Sequence, residues 1–282
     1  MNRQNYFFCS VFAIYFSCFL FRCLEYFFIR TDYTVFGEAF IHKIIGIVIL
    51  CCCAHLFSYD KSNIGFAKTD AFKKLCCGLC LGAFFYSLSY ISESFVLKQI
   101  GNFKGFELYV SSYSVNGNIG NHKEAFFFLI CIIGNIINVI MEEGVFRGLF
   151  QKLLEQKYKF LVSAVIASAL FGVWHIVGPV RSYMDGLSNS RQLIVSIAIL
   201  VFSSALVGFK YALLTKLSGS VYLSMGEHFV NNTIINVLHV ISNTGTDELQ
   251  ILRICIAQSV SFVVVLVFYV LFAKRFIQRR NT

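Results

Sequence analysis

The chain reads as an all-α, polytopic membrane bundle, and three observations carry that reading. Of its 282 residues 57% are hydrophobic and 14% charged, with a single proline, Pro179, and a mean hydropathy of +0.69. A soluble domain of this length cannot hide so much apolar surface, whereas a protein that faces lipid has no need to. The apolar residues also fall into eight stretches, each near the ~20 residues that a bilayer crossing requires.

In chain order these stretches are residues 6–28, 40–57, 75–91, 125–150, 160–177, 193–213, 221–241 and 252–276. The first is too long for the core of a signal peptide and holds Arg22 and Glu25, so a retained helix is expected. Residues 92–123, rich in Ser, Asn and Gly, form the longest polar stretch and are expected to be an outer loop. Residues 178–192, which hold the proline, are expected to form a second outer loop. No repeat and no soluble appendage interrupts the pattern, which leaves one integral membrane domain over residues 1–282.

Charge sets the orientation. With eight spans and the amino terminus inside, 15 of the 24 basic residues fall on the cytoplasmic side, while the eight on the outer side are matched by eight acids. That asymmetry obeys the positive-inside rule and puts both termini in the cytoplasm. The net charge of +9 is then topological. It requires no nucleic-acid partner, and the basic surface would attract anionic lipid. The eleven cysteines, including the Cys77–Cys80 CxxC, lie mostly in apolar helices and read as small buried hydrophobes.

Ionisable groups inside spans are costly and mark function by default. Three sets stand out. In the fourth span Cys131, Asn135, Asn138 and Glu142 share one helical face, and Glu143 and Arg147 are placed to pair at i,i+4. In the fifth, Phe171 and His175 follow a turn near Lys157–Lys159. Glu142 and His175 then lie at one depth, about 22 Å from that turn at 1.5 Å per residue, with Arg147 level with Phe171. In the seventh, His228, Asn232, Asn236 and His239 form a second polar face, with Glu227 and Asn231 beside it. On residues alone, such stripes suit a hydrolytic site, a bound peptide or regulator, or a water-filled transport path.

The strings MEEGVFRGLF (141–150), LFGVWH (170–175) and GSVYLSMGEHFVNN (219–232) resemble the EExxxR, FxxxH and HxxxN signatures of the CAAX-protease and bacteriocin-processing (CPBP, or Abi) family. That family includes the Ras-converting prenyl-protein protease. The resemblance covers about residues 120–245, the expected catalytic core, while the first three helices and the last look unremarkable. Glu227 departs from it, standing where a small or apolar residue is expected.

The resemblance implies an intramembrane endopeptidase. Glu142 would be the general base that takes a proton from water. His175 would hold that water, and His228 with Asn232 would stabilise the oxyanion. Glu143, Arg147 and Phe171 would support them. No nucleophilic Ser or Cys motif lies nearby, so direct attack by water is favoured over a covalent intermediate. No cofactor is expected. The competing mechanism is a zinc ion on Glu142, His175 and His228, since two histidines and a carboxylate suit that metal. The expected partners are membrane lipids and a peptide or lipidated protein substrate: a prenylated tail, a bacteriocin or pheromone precursor, or another membrane protein. The alternative is a non-catalytic immunity, scaffold or transport protein. Either way the location is a membrane, the cell membrane in a bacterium or the endoplasmic reticulum in a eukaryote.

Overall fold

The helices follow from the apolar stretches, and a computed structural model describes them over residues 3–34, 37–111 and 121–278. Helix α1 (Arg3–Leu24) runs into a π-helical turn at Glu25–Ile29. Then come α2 (Ile41–Leu56), α3 (Ala71–Gln99), β1 (Phe103–Leu108) and α4 (Ala125–Glu142). α4 continues through a π-helical segment, Glu143–Phe150, into α5 (Gln151–Leu154). The rest are α6 (Phe160–Trp174), α7 (Val177–Met184), α8 (Ser190–Ser218), α9 (Val221–Val237), β2 (Leu238–Ser242) and α10 (Gln250–Gln278).

Six helical stretches are long and apolar enough to cross a membrane, which establishes a multi-pass integral bundle. The other two expected spans are shorter. α2 has 16 residues and α9 has 17, about 24–26 Å of helix against the ~30 Å of a hydrocarbon core. The ends of α8 show how sequence sets a boundary. Asn189 and Gln192 exchange side-chain to backbone bonds of 2.9 Å as a capping box at the start, and Gly219 closes the helix at φ 66°. Along its first half Ile194, Val195, Ile199 and Phe202 are exposed, as a lipid-facing surface should be.

Two parts of the polar loop expected at residues 92–123 are instead regular. α3 continues to Gln99, and Phe103–Leu108 pairs antiparallel with β2. Residues 112–120 of that loop lie outside the described residues. β2 in turn takes the last residues of the expected seventh span. The Tyr90 hydroxyl lies 2.5 Å from the Leu238 carbonyl and 3.2 Å from that of Ile234, which ties α3 to the end of α9. His239 therefore leaves the polar face it was assigned to. It stacks on Tyr109 at 3.7 Å and bonds Asp247 at 3.1 Å.

No residue of α9 is exposed, and small residues let it pack closely against α3. A Cβ on Gly78 of α3 would meet the Leu223 carbonyl at 2.2 Å, and one on Gly226 of α9 would meet the Leu75 carbonyl at 2.4 Å. Close backbone approach of this kind is how membrane helices gain dispersion contact where no hydrophobic effect draws them together. Around the start of the π segment, Tyr15, Leu50, Met141, Phe146, Phe171 and Trp174 form the main core.

Several charges expected at the membrane surfaces are inside the bundle. Arg181 and Arg253, expected in outer loops, are fully buried against Asp32 (2.8 Å) and Glu93 (2.5 Å). Lys210, expected at the cytoplasmic edge, is fully buried with Nζ 2.6 Å from Glu227. A buried charge needs a partner, and each of these finds one on a distant helix or loop. The cysteines are less buried than expected. Cys18 and Cys131 are interior, whereas Cys9, Cys51, Cys52, Cys77, Cys80 and Cys255 are exposed on the outsides of apolar helices.

Candidate active site

Glu142 ends the regular part of α4 and is 3% exposed. Its Oε1 accepts the Trp174 indole N–H at 3.2 Å and its Oε2 accepts from the Asn138 amide at 3.2 Å. Oε2 also lies 3.6 Å from His228 Nε2. The Asn stripe of α4 thus turns inward, as its polarity demanded. Trp174 carries no signal in the spacing of polar residues; its one hint is that it is the sole tryptophan and precedes His175.

Glu143 reaches the same imidazole from the other side, with Oε1 at 2.9 Å from His228 Nδ1. On a regular helix adjacent side chains diverge by about 100°. Here the π segment starts at Glu143, and both carboxylates meet one ring, each at its own nitrogen. Glu143 also pairs with Arg147 at 3.2 Å, as the i,i+4 spacing predicts. The Arg147 guanidinium lies 4.1 Å over the Phe171 ring, so the depth match of those two residues holds as well.

Phe171 sits under both histidines, edge-on to His175 at 4.8 Å and to His228 at 6.3 Å, while Tyr211 stacks on His228 at 4.7 Å. His175 Nδ1 lies 2.8 Å from the Phe171 carbonyl. A carbonyl can only accept, so Nδ1 carries the hydrogen and the Nε2 lone pair is left free.

The orientation of Asn232 follows from a chain of one-way bonds. Lys210 can only donate, and its Nζ binds Gln258 Oε1 at 2.8 Å. Gln258 Nε2 must then donate, and it does so to Asn231 Oδ1 at 2.5 Å. Asn231 Nδ2 in turn donates to Asn232 Oδ1 at 2.9 Å. The Asn232 Nδ2 hydrogens are left for the cavity that this residue lines. Glu227, the departure from the family pattern, neutralises the lysine at the head of this chain.

Glu142, His175, His228 and Asn232 line one cavity of about 500 Å³. Glu143, Arg147 and Phe171 support it from outside. The first two helices are not unremarkable after all, because Arg22 of α1, Lys43 of α2 and Glu38 just before α2 line the same cavity. Arg22 had one legible signal, a basic residue inside an apolar span. The zinc alternative needs Glu142, His175 and His228 around one ion. Among the described residues, no three His, Cys, Asp or Glu side chains are grouped so as to hold a metal.

Residues 124–234 match the family described as type II CAAX prenyl endopeptidase Rce1-like. No curated protein matches the chain. The matched stretch opens just before α4 and closes within α9, so it contains all seven residues that the three motifs singled out, and it leaves out Arg22, Glu38 and Lys43. Through this stretch the chain is similar to the Rce1-like CAAX prenyl endopeptidase family, and its six membrane-length helices make it a multi-pass integral membrane protein.

Proposed function

We propose that this endopeptidase cleaves a peptide bond near the C-terminus of a prenylated, membrane-associated substrate, using water activated directly by Glu142. The observation that carries the proposal is the Glu142 carboxylate itself. It is buried, held on two sides by Trp174 and Asn138, and faces His228 across 3.6 Å in an open cavity.

Water held by Glu142 and His175 attacks the scissile carbonyl carbon, and its proton passes to Glu142. The carbonyl oxygen becomes an oxyanion, which accepts hydrogen bonds from Asn232 Nδ2 and from a protonated His228 Nε2. Glu143 at Nδ1 holds that ring in place. Collapse breaks the C–N bond, and Glu142 returns its proton to the leaving amine. No metal takes part in these steps.

The test is purified protein in lipid nanodiscs with a fluorogenic peptide carrying a farnesylated cysteine followed by three apolar residues. Mass spectrometry should find one cut after the modified cysteine, insensitive to exhaustive chelation. Zinc that copurifies stoichiometrically and restores activity to stripped protein would overturn the metal-free step. Cleavage of an unmodified apolar peptide at an equal rate would overturn the prenyl requirement.

A further inference from the structure

Six cationic side chains are buried among the described residues: Arg22, Lys43, Arg147, Arg181, Lys210 and Arg253. Five have a carboxylate within 3.2 Å: Glu38 for Lys43, Glu143 for Arg147, Asp32 for Arg181, Glu227 for Lys210 and Glu93 for Arg253. Arg22, 7% exposed, has none within 4.0 Å among the described residues. A buried charge with no counter-charge in contact is costly in a bilayer, and this one lines the cavity that holds Glu142.

The surroundings of Arg22 are built but incomplete. The guanidinium lies 4.7 Å over the Trp174 ring and 4.9 Å over the Tyr26 ring. Its Nη1 is 3.3 Å from His42 Nε2, while His42 Nδ1 is 2.5 Å from Glu25 Oε2. The carboxylate of Glu25 can only accept, so His42 donates at Nδ1 and accepts from Arg22 at Nε2. Glu25 is further engaged by Thr31 and by the backbone N–H groups of Ile41 and His42, and reaches Arg22 only through the imidazole. Arg22 Nε has no hydrogen-bond partner. Neighbouring Lys43 is already occupied by Glu38, so it does not compete for an incoming anion.

We infer that Arg22 is the carboxylate-binding subsite of the cavity and takes the free C-terminal carboxylate of the substrate. The guanidinium fork matches a carboxylate bidentately. A short apolar tail brings one such group with it wherever it ends. The sixth cation then gains its partner only when substrate is bound, and the distance from Arg22 to Glu142 sets how far from its C-terminus a chain is cut. The inference rests on the proposed function for the kind of substrate, though its test does not require turnover.

Three labelled peptides decide it, each with a farnesylated cysteine and three further residues. One ends as the acid, one as the carboxamide, and one as a carboxamide with glutamate in the last position. Binding is read by fluorescence anisotropy on full-length Glu142→Gln protein in nanodiscs. The acid should bind at least about tenfold tighter than the apolar amide, the worth of one charge-assisted hydrogen bond. Arg22→Gln in that background should erase the difference, and Arg22→Lys should keep part of it. Tight binding of the glutamate amide would support a carboxylate site read from a side chain as well. Equal binding of acid and amide, an equal loss on both with Arg22→Gln, or no binding of any peptide overturns the inference. Discrimination without cleavage by the wild-type protein would sink the proposed reaction and leave the subsite standing.

Discussion

The bundle holds two buried ionic clusters that look alike in sequence and differ in how their charges are answered. At the strand end, Arg253 forks onto Asp247 with bonds of 3.1 and 2.6 Å, reaches Glu93 at 2.5 Å, and lies over the Tyr90 ring at 4.5 Å. His239 closes the group from β2. Every charge there has an opposite charge within the protein, so the cluster fastens α3, β2 and α10 together. In the cavity, Arg22 has no carboxylate within 4.0 Å among the described residues, Asn232 keeps its N–H groups for the open space, and His175 keeps a lone pair. A closed network stabilises; one left open toward a cavity can bind and react.

The comparison breaks first at Glu142. Glu142→Gln keeps the acceptor for Trp174 but cannot take a proton, so peptide cleavage should fall by ~10²–10⁴-fold while the thermal midpoint stays within a degree or two. A midpoint that drops along with activity would make Glu142 a structural group like Glu93. The converse change is Arg253→Met. It strands two carboxylates and should lower stability by about 3–5 kcal/mol, read by denaturant titration in micelles, while whatever protein remains folded cleaves normally. Adding Glu93→Leu should recover part of that loss.

A finer probe lies between the clusters. Asn231→Asp can accept but not donate, so Asn232 would turn its Nδ2 toward the new carboxylate and its oxygen toward the cavity. The expectation is a fall in kcat of ~10²-fold, the scale of one lost oxyanion donor, with KM nearly unchanged. A matching rise in KM would assign Asn232 to ground-state binding. The smallest effect is acid sensitivity at the strand end. Burial alone would raise the Asp247 carboxyl, but hydrogen bonds from His239 and Arg253 outweigh it and hold it below the ordinary carboxylate range. A depressed value means the stabilisation is complete above about pH 4, the unfolded value, and is lost as pH falls through the folded one. Midpoints measured from pH 6 down to 3 should therefore decline more steeply for the wild type than for Asp247→Asn.

What the sequence made legible was local. Each of the eight apolar stretches became a helix over most of its length, and Glu142, His175, His228 and Asn232 were visible as polar groups at helical spacing in spans that resist them. Their convergence was legible in part, through the equal depth of Glu142 and His175 in a hairpin. Long-range pairing was not. Nothing near Lys210 in the sequence announces Glu227, Gln258 and Ser261, and a polar loop gives no sign of a strand partner more than a hundred residues on. Arg22 was visible as an oddity, but its absence of an acid partner appears only once every other buried cation has found one. Nor does counting charges by loop show which basic residues beside a span turn inward.

The π-helical segment Glu143–Phe150 has one more consequence. Bonding i to i+5 in place of i to i+4 lodges a surplus residue in the helix, an arrangement of poorer hydrogen-bond geometry than the α form on either side. The helix is thus a single deletion away from a tidier version of itself, one that would turn Glu143 off the imidazole it shares with Glu142. Selection for thermal robustness alone would favour that shorter helix, and on the proposed mechanism the protein so obtained would be sturdier and silent.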